Sequence, residues 1–216
     1  MDDVVEGGRG RLLSVNVGRP RLLAAPGGRT EPSAIAKAPV DGRVAVRGVN
    51  LDGDDQADRS VHGGPDKAVY SYSSEDYAWW SSELDRPLPP GTFGENLTTE
   101  GVDVSGAVIG EQWLVGSTRL QVAQPRQPCW KLTATMGEPR FQQRFNRAAR
   151  FGAYLRILEE GDLAVGDAIE VVERPAHGVT VRDVGVIATA ERHRVAELLD
   201  VPELGPSWHD WVRGQL

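Results

Sequence analysis

The apolar residues of this chain fall in short clusters, each cut off by Gly, Pro or Asp. That punctuation predicts many short strands rather than a helical bundle. Residues 12–17 (LLSVNV), 43–51 (RVAVRGVNL) and 67–72 (KAVYSY) form the first three runs. A helix is expected next. Ser73 stands three residues before Asp76 as an N-cap, and Tyr77, Trp80 and Leu84 recur on one face. The segment RPLPPGT (86–92) ends it, because proline denies the helix its backbone donors.

Strand character returns in ENLTTEG (95–101), EQWLVG (111–116) and TRLQVAQP (118–125), the last two joined by a tight Gly-Ser turn. A second helix, opened by Pro139, would bury Phe141, Phe145 and Ala148 or Ala149. Arg140, Arg144 and Arg147 would then share the opposite, solvated face. AYLRILEEG (153–161) and DAIEVVERP (167–175) supply the last strands.

After Pro175 the texture changes. Thr180 precedes Asp183 by three residues and Ser207 precedes Asp210 by three, both signatures of a helix start. Between them RVAELL (194–199) forms a third helical segment. The expected organisation is a disordered leader over 1–10, a mainly β domain over 11–175 and a small three-helix unit over 176–216.

Composition narrows the function classes. The 216 residues carry a net charge of −7, the opposite of the basic excess of a general nucleic-acid binder, so no nucleic-acid partner is expected. No apolar run approaches the length of a bilayer span, which argues against a membrane role. The N-terminus lacks the apolar core of a secretory signal. A single cysteine cannot form an internal disulfide, so the expected setting is cytoplasmic.

Three segments could carry chemistry. In QPRQPCWKL (124–132) two prolines stiffen the approach to Cys129, with Arg126 and Lys131 close in sequence. Nearby cations favour the thiolate, a nucleophile and a soft metal ligand. A buried cysteine acting as a small hydrophobe explains the same residues, and spacing alone leaves that reading ahead. In VHGGPDKAVY (61–70) Gly63 and Gly64 permit a backbone that gathers N–H groups on an anion, with Lys67 as compensating charge. A plain Gly-Gly-Pro turn is the alternative, and His62 is either a base or ligand or a hydrogen-bonded structural imidazole. In GTFGENLTTEG (91–101), Glu95 and Asn96 sit in a constrained turn that could line a cleft or form a β-bulge. The acidic run LDGDDQAD (51–58) fails calcium-loop spacing and reads as a solvated loop, or one that orients His62 through Asp58. Serine-hydrolase, P-loop and metalloprotease motifs are absent.

Taken in order, SAIAKAPVDGRV, GVNLDGDDQAD, VHGGPDKAVY, FGENLTTEG, IGEQWLVG, QVAQPRQPCWKL and GAYLRILEEG resemble the blocks of the MOSC family, the domains related to the C-terminal part of molybdenum cofactor sulfurases. The subgroup resembled is that of the bacterial hydroxylaminopurine-resistance proteins, in which a three-helix unit follows the MOSC domain. The resemblance implies a mainly β, MOSC-type barrel with a few peripheral helices, holding a molybdopterin-type molybdenum cofactor. It makes Cys129 the catalytic residue and metal ligand, with His62 and Asn96 beside it. It assigns cofactor binding to Lys37, Gly63, Gly64, Lys67, Arg126 and Lys131, with Arg156 as a further candidate for the anion site. The family also carries an association with pyridoxal phosphate binding.

The implied chemistry is reduction of small N-hydroxylated substrates, such as N-hydroxylated purine bases, to amines. Neither a dinucleotide fingerprint nor a cysteine cluster is present, so electrons would come from a separate flavin or iron–sulfur partner. The rival reading is a cofactor carrier or sulfur-transfer module with Cys129 as persulfide or anchor. The tail would serve as a homodimer contact or a partner dock. Because the cofactor is anionic and the chain acidic, cations from several blocks must converge in the fold.

Overall fold

The computed structural model describes residues 9–57 and 63–216. The strands among them are β1 (Gly10–Val17), β2 (Arg21–Ala24), β3 (Thr30–Ser33), β4 (Ala38–Pro39), β5 (Val44–Arg47), β6 (Asn50–Leu51) and β7 (Val69–Ser73). They continue with β8 (Leu97–Glu100), β9 (Gln112–Val115), β10 (Thr118–Pro125), β11 (Ala153–Glu159), β12 (Gly161–Leu163) and β13 (Ala168–Glu173). The helices are α1 (Ser74–Glu83), α2 (Trp130–Met136), α3 (Phe141–Ala148), α4 (Val181–Thr189) and α5 (Pro206–Arg213).

The expected mainly β barrel is present. Strands pair in the order β13, β9, β10, β11, β7, β8, β1, and β1 returns to β13 through Gly10↔Ile169 and Arg11↔Ala168. Closing the ring leaves no strand of it with an unpaired edge. Every pairing in the ring is antiparallel except β7 with β8. A parallel pair cannot be joined by a hairpin, and the crossover it needs is α1 with the proline-rich loop behind it. Ser73 caps α1 as expected, accepting from the Asp76 amide at 3.1 Å. Leu12, Trp113, Val115, Leu120, Val122, Leu155 and Ile169 are buried in the core.

Aromatic packing binds the peripheral helices to the barrel. Phe93 stacks on Tyr72 at 4.4 Å, and Trp80 of α1 meets Phe141 of α3 at 4.9 Å. Such pairs add about 0.5–1.5 kcal/mol each beyond the area they bury.

Several expectations shift. RVAVRGVNL is the hairpin β5–β6 rather than one strand, because Gly48 takes φ +58° and turns the chain. Residue 10 already pairs in β1, so the leader expected over 1–10 overlaps the barrel at its last residue. Helix α3 starts at Phe141, since Arg140 holds φ +59° and leaves Pro139 outside. The hairpin β2–β3 and helix α2, directly after Cys129, had no forewarning in the apolar pattern. In the tail the Thr180–Asp183 capping box forms, but the middle segment is a 3-10 helix (Arg192–Leu198). The last helix is entered through Gly205 and Pro206 rather than through Ser207.

The tail lies on the barrel. Thr180 bridges to Val108, Arg156 Nη2 donates to the Glu203 carbonyl at 2.7 Å, and Trp208 Nε1 donates to Gln124 Oε1. A Cβ on Gly185 would stand 2.3 Å from the Phe151 ring, so only glycine lets α4 approach this closely. Among the described residues no helix is long and apolar enough to cross a membrane.

Candidate functional site

A cleft of about 600 Å³, counting its open mouth, lies where the segment after β3, the loop after β6, the segment before β8 and the ends of β7, β10 and β11 meet. Lys37, Lys67, Asn96, Arg126, Cys129 and Lys131 all line it. The cations scattered over distant sequence blocks thus converge around the cysteine. Among the described residues four basic side chains stand against two acidic ones, Asp54 and Asp55, in a chain whose net charge is −7. Low-dielectric walls concentrate such a local excess into an anion-attracting field.

Each cation has a distinct attachment. Lys37 Nζ lies 2.5 Å from both carboxylate oxygens of Asp54, with side-chain exposures of only 8% and 2%. Burial pushes the Lys37 amine below its ordinary value, and Asp54 opposes that shift. Asp54 also accepts from the Gly18 amide at 2.7 Å and from Asn96 Nδ2 at 2.9 Å. The acidic run therefore contains a buried structural carboxylate, not only solvated ones. The Arg126 guanidinium is buried, donates to the Phe93 carbonyl and lies 5.2 Å over the Tyr70 ring. Lys131 reaches back to the Pro32 carbonyl at 3.0 Å and so ties α2 to the β2–β3 hairpin. Burial also lowers the Lys67 amine, against the pull of Asp66.

Cys129 is half-buried and stands at the N-cap of α2 without a side-chain capping hydrogen bond among the described residues. Packing alone does not account for it: its side chain borders the cleft rather than the core.

Two expected site residues have other commitments. Asn96 lines the cleft, yet its amide links β1, β7 and the loop after β6. Nδ2 donates to Asn16 O and Asp54, and Oδ1 accepts from the Tyr70 amide at 3.1 Å. It holds the wall, with both amide hydrogens taken and the second lone pair of Oδ1 left for a ligand. Arg156 is not in the cleft lining: it is bound to Asp66, to Gln121 Oε1 at 2.9 Å and to the tail at Glu203. It sits on the strand face that meets the tail, so it fastens α5's approach instead of an anion. Gly63 and Gly64 lead into the 3-10 turn Pro65–Lys67, where Gly64 takes φ +96° and positions Lys67. His62 and the Asp58 expected to orient it lie outside the described residues.

Sequence reasoning passed over Asp54 as a partner for Lys37, and Tyr70 and Tyr154 as cleft walls. Tyr70 and Tyr154 are register partners on β7 and β11, with ring centroids 5.0 Å apart. In sequence they look like ordinary strand aromatics.

Glu95 is fully buried behind the cleft. Its Oε1 accepts from the Tyr77 hydroxyl, the Gly91 amide and Thr98 Oγ1, while Oε2 has no partner. Burial raises its carboxyl above the ordinary 4.5, with those three hydrogen bonds opposing. Folding then takes up a proton, and the stability this gives is full below pH 4.5 and is lost as pH rises through the folded value. Glu95→Gln mimics the neutral acid. Urea unfolding of the variant should show a shallower fall in stability from pH 4.5 upward than the parent chain.

The chain matches the MOSC domain family over residues 58–170. It is 39% identical over 171 residues to the Bacillus subtilis protein YflK, an alignment spanning 79% of this chain and 77% of that one. It is 37% identical over 171 residues to a Gibberella moniliformis protein named a reductase, covering 77% of this chain and 30% of the fungal protein. The crystal structure of YiiM from Geobacillus stearothermophilus superposes with a TM-score of 0.79 at 29% identity, over 96% of this chain and 99% of that one.

Proposed function

The chain belongs to the MOSC domain family and fits its hydroxylaminopurine-resistance subgroup, and from that premise we propose that it binds a molybdenum cofactor and reduces N-hydroxylated compounds to amines. The observation that carries the reading is the convergence of Lys37, Lys67, Arg126 and Lys131 on the one thiol of the cleft.

The donor set suits a pterin-borne metal better than a bare ion. Among the described residues no three His, Cys, Asp or Glu side chains gather to hold a metal. A metal that arrives with its own dithiolene needs only one protein thiolate, and Cys129 is a soft ligand of that kind. The anionic remainder of the cofactor suits the basic walls, with Arg126 the one guanidinium among the described residues that line the cleft. When bound, the cofactor supplies the redox chemistry. The chain's residues hold and orient it: Cys129 as ligand, Lys67, Arg126 and Lys131 as counter-charge, and the Lys37–Asp54–Asn96 cluster as a rigid wall. A pyridoxal phosphate gains less support, because Lys37, the most buried lysine of the cleft, is already paired with Asp54.

The name of the fungal relative supports a reductase over a cofactor carrier, and only 30% of that protein corresponds to this chain. Electrons are then delivered by a separate flavin or iron–sulfur protein. The experiment is to purify the protein from a molybdenum-sufficient host, measure bound molybdenum and pterin, and assay reduction of 6-hydroxylaminopurine with an artificial reductant. Metal with turnover is the expected result. Metal without turnover would favour the carrier, and no metal even after reconstitution would sink both.

A further inference from the structure

Four tyrosines occur in the chain, and three of them have their hydroxyls committed to protein acceptors. Tyr70 donates to Phe151 O at 2.8 Å, Tyr72 to Arg150 O at 2.8 Å and Tyr77 to Glu95 Oε1 at 2.6 Å. Tyr154 differs: among the described residues its hydroxyl has no hydrogen-bond partner. It is also the only one of the four that is not fully buried, and it lines the cleft together with Arg126 and Cys129. A tyrosine whose ring is packed and whose hydroxyl lacks a protein partner is completed by water or by a ligand.

We propose that the Tyr154 hydroxyl is a catalytic hydrogen-bond donor that contacts the N-hydroxylated substrate beside Cys129 and protonates the nitrogen as the N–O bond breaks. The assignment rests on the reductase reading above. Three other polar groups of the cleft are already committed: Lys37 is locked to Asp54, both Asn96 amide hydrogens are donated, and the Cys129 thiol is reserved for the metal. Tyr154 is neutral and directional, and its ring is fixed against Tyr70 at 5.0 Å.

The balance of the step is simple. The substrate R–NH–OH takes two electrons from the flavin or iron–sulfur donor and two protons. The N–O bond breaks, nitrogen gains one proton to become the amine, and the hydroxyl oxygen gains the other to leave as water. Tyr154 supplies the nitrogen's proton and is reprotonated from solvent at the cleft mouth. The nitrogen left by two-electron cleavage is a strong base, so a weak acid suffices. A phenol is O–H at neutral pH, so the donor is in place.

Tyr154→Phe keeps the ring and removes only the donor. Turnover of 6-hydroxylaminopurine should fall about 10²-fold or more in kcat, with KM changed far less, while molybdenum content and thermal unfolding stay at parent values. A second readout does not depend on turnover. In cofactor-free protein, the affinity for 6-hydroxylaminopurine measured by titration calorimetry should drop about two- to tenfold in the variant, and affinity for adenine much less. Unchanged kcat together with unchanged affinity would overturn the role of Tyr154 even if the parent enzyme is active. A loaded parent protein that does not reduce the probe would instead overturn the reductase reading, and the calorimetric comparison would still decide whether Tyr154 contacts the ligand.

Discussion

Protein carrying Cys129→Ala should leave a molybdenum-sufficient host folded and without its metal. Among the described residues the thiol makes no capping hydrogen bond, and it stands half-buried at the start of α2, so its loss removes little packing. A destabilisation under about 1 kcal/mol is expected, well below the cost of emptying a core position. Cys129→Ser sharpens the test. Serine is a better N-cap than cysteine and should make α2 as stable or slightly more so. Its oxygen is nevertheless a harder ligand than a thiolate. Elemental analysis of both variants should therefore read background molybdenum, while circular dichroism melts stay near the parent value. Metal retained at parent stoichiometry in both would show that another residue is the ligand.

The largest expected effect on stability is at Asp54. Asp54→Ala strands the Lys37 ammonium in a site where its side chain is 8% exposed, and it also strips an acceptor from the Gly18 amide and from Asn96. Removing one partner of a buried ion pair costs about 3–5 kcal/mol, and urea unfolding should show a loss of that size. The pH dependence has a definite sign. Burial already pushes the Lys37 amine below 10.5, and the variant deletes the main group that opposes it. The unfolded chain then binds more protons than the folded one up to pH 10.5, so the variant's stability rises with pH across that window. Restoring balance with the pair Lys37→Met and Asp54→Leu should recover most of the loss, because a well-packed apolar pair commonly replaces a buried ionic one. A double variant as unstable as Asp54→Ala would mean that the backbone bond to Gly18, not the charge, is what matters.

Much of the barrel is legible in the chain because strands declare themselves through short apolar runs between glycines and prolines. Ser73 as a cap and the turn at Gly116 follow from local chemistry alone. Helix α2 did not, since WKLTATM is too short for a periodic stripe to show. The β2–β3 hairpin was missed for a similar reason: RLLA and TEPS are short and mostly exposed. At the cleft, Lys37, Lys67, Arg126 and Lys131 were reached through the order of the blocks around them. Their convergence was expected from the charge of the cofactor, but its place was not legible, since it depends on β7, β10 and β11 lying side by side. Arg156 shows the limit of such reasoning. Strand position alone does not say which face of β11 it serves, and the tail claims it. Asp54 was hidden because an acidic run gives no sign of which carboxylate is buried.

The seam that closes the barrel has a consequence for how the protein is made. Gly10 pairs with Ile169 and Arg11 with Ala168, so the ring cannot shut until β13 has left the ribosome. Until then β1 and β9 each carry an open edge, the kind of template on which strands of neighbouring nascent chains can pair. Contacts this distant in sequence also fold slowly, because the loop they close must be ordered before they reward it. The acidic surplus of the whole chain then has a use unrelated to the cleft: it keeps unfinished molecules apart during synthesis.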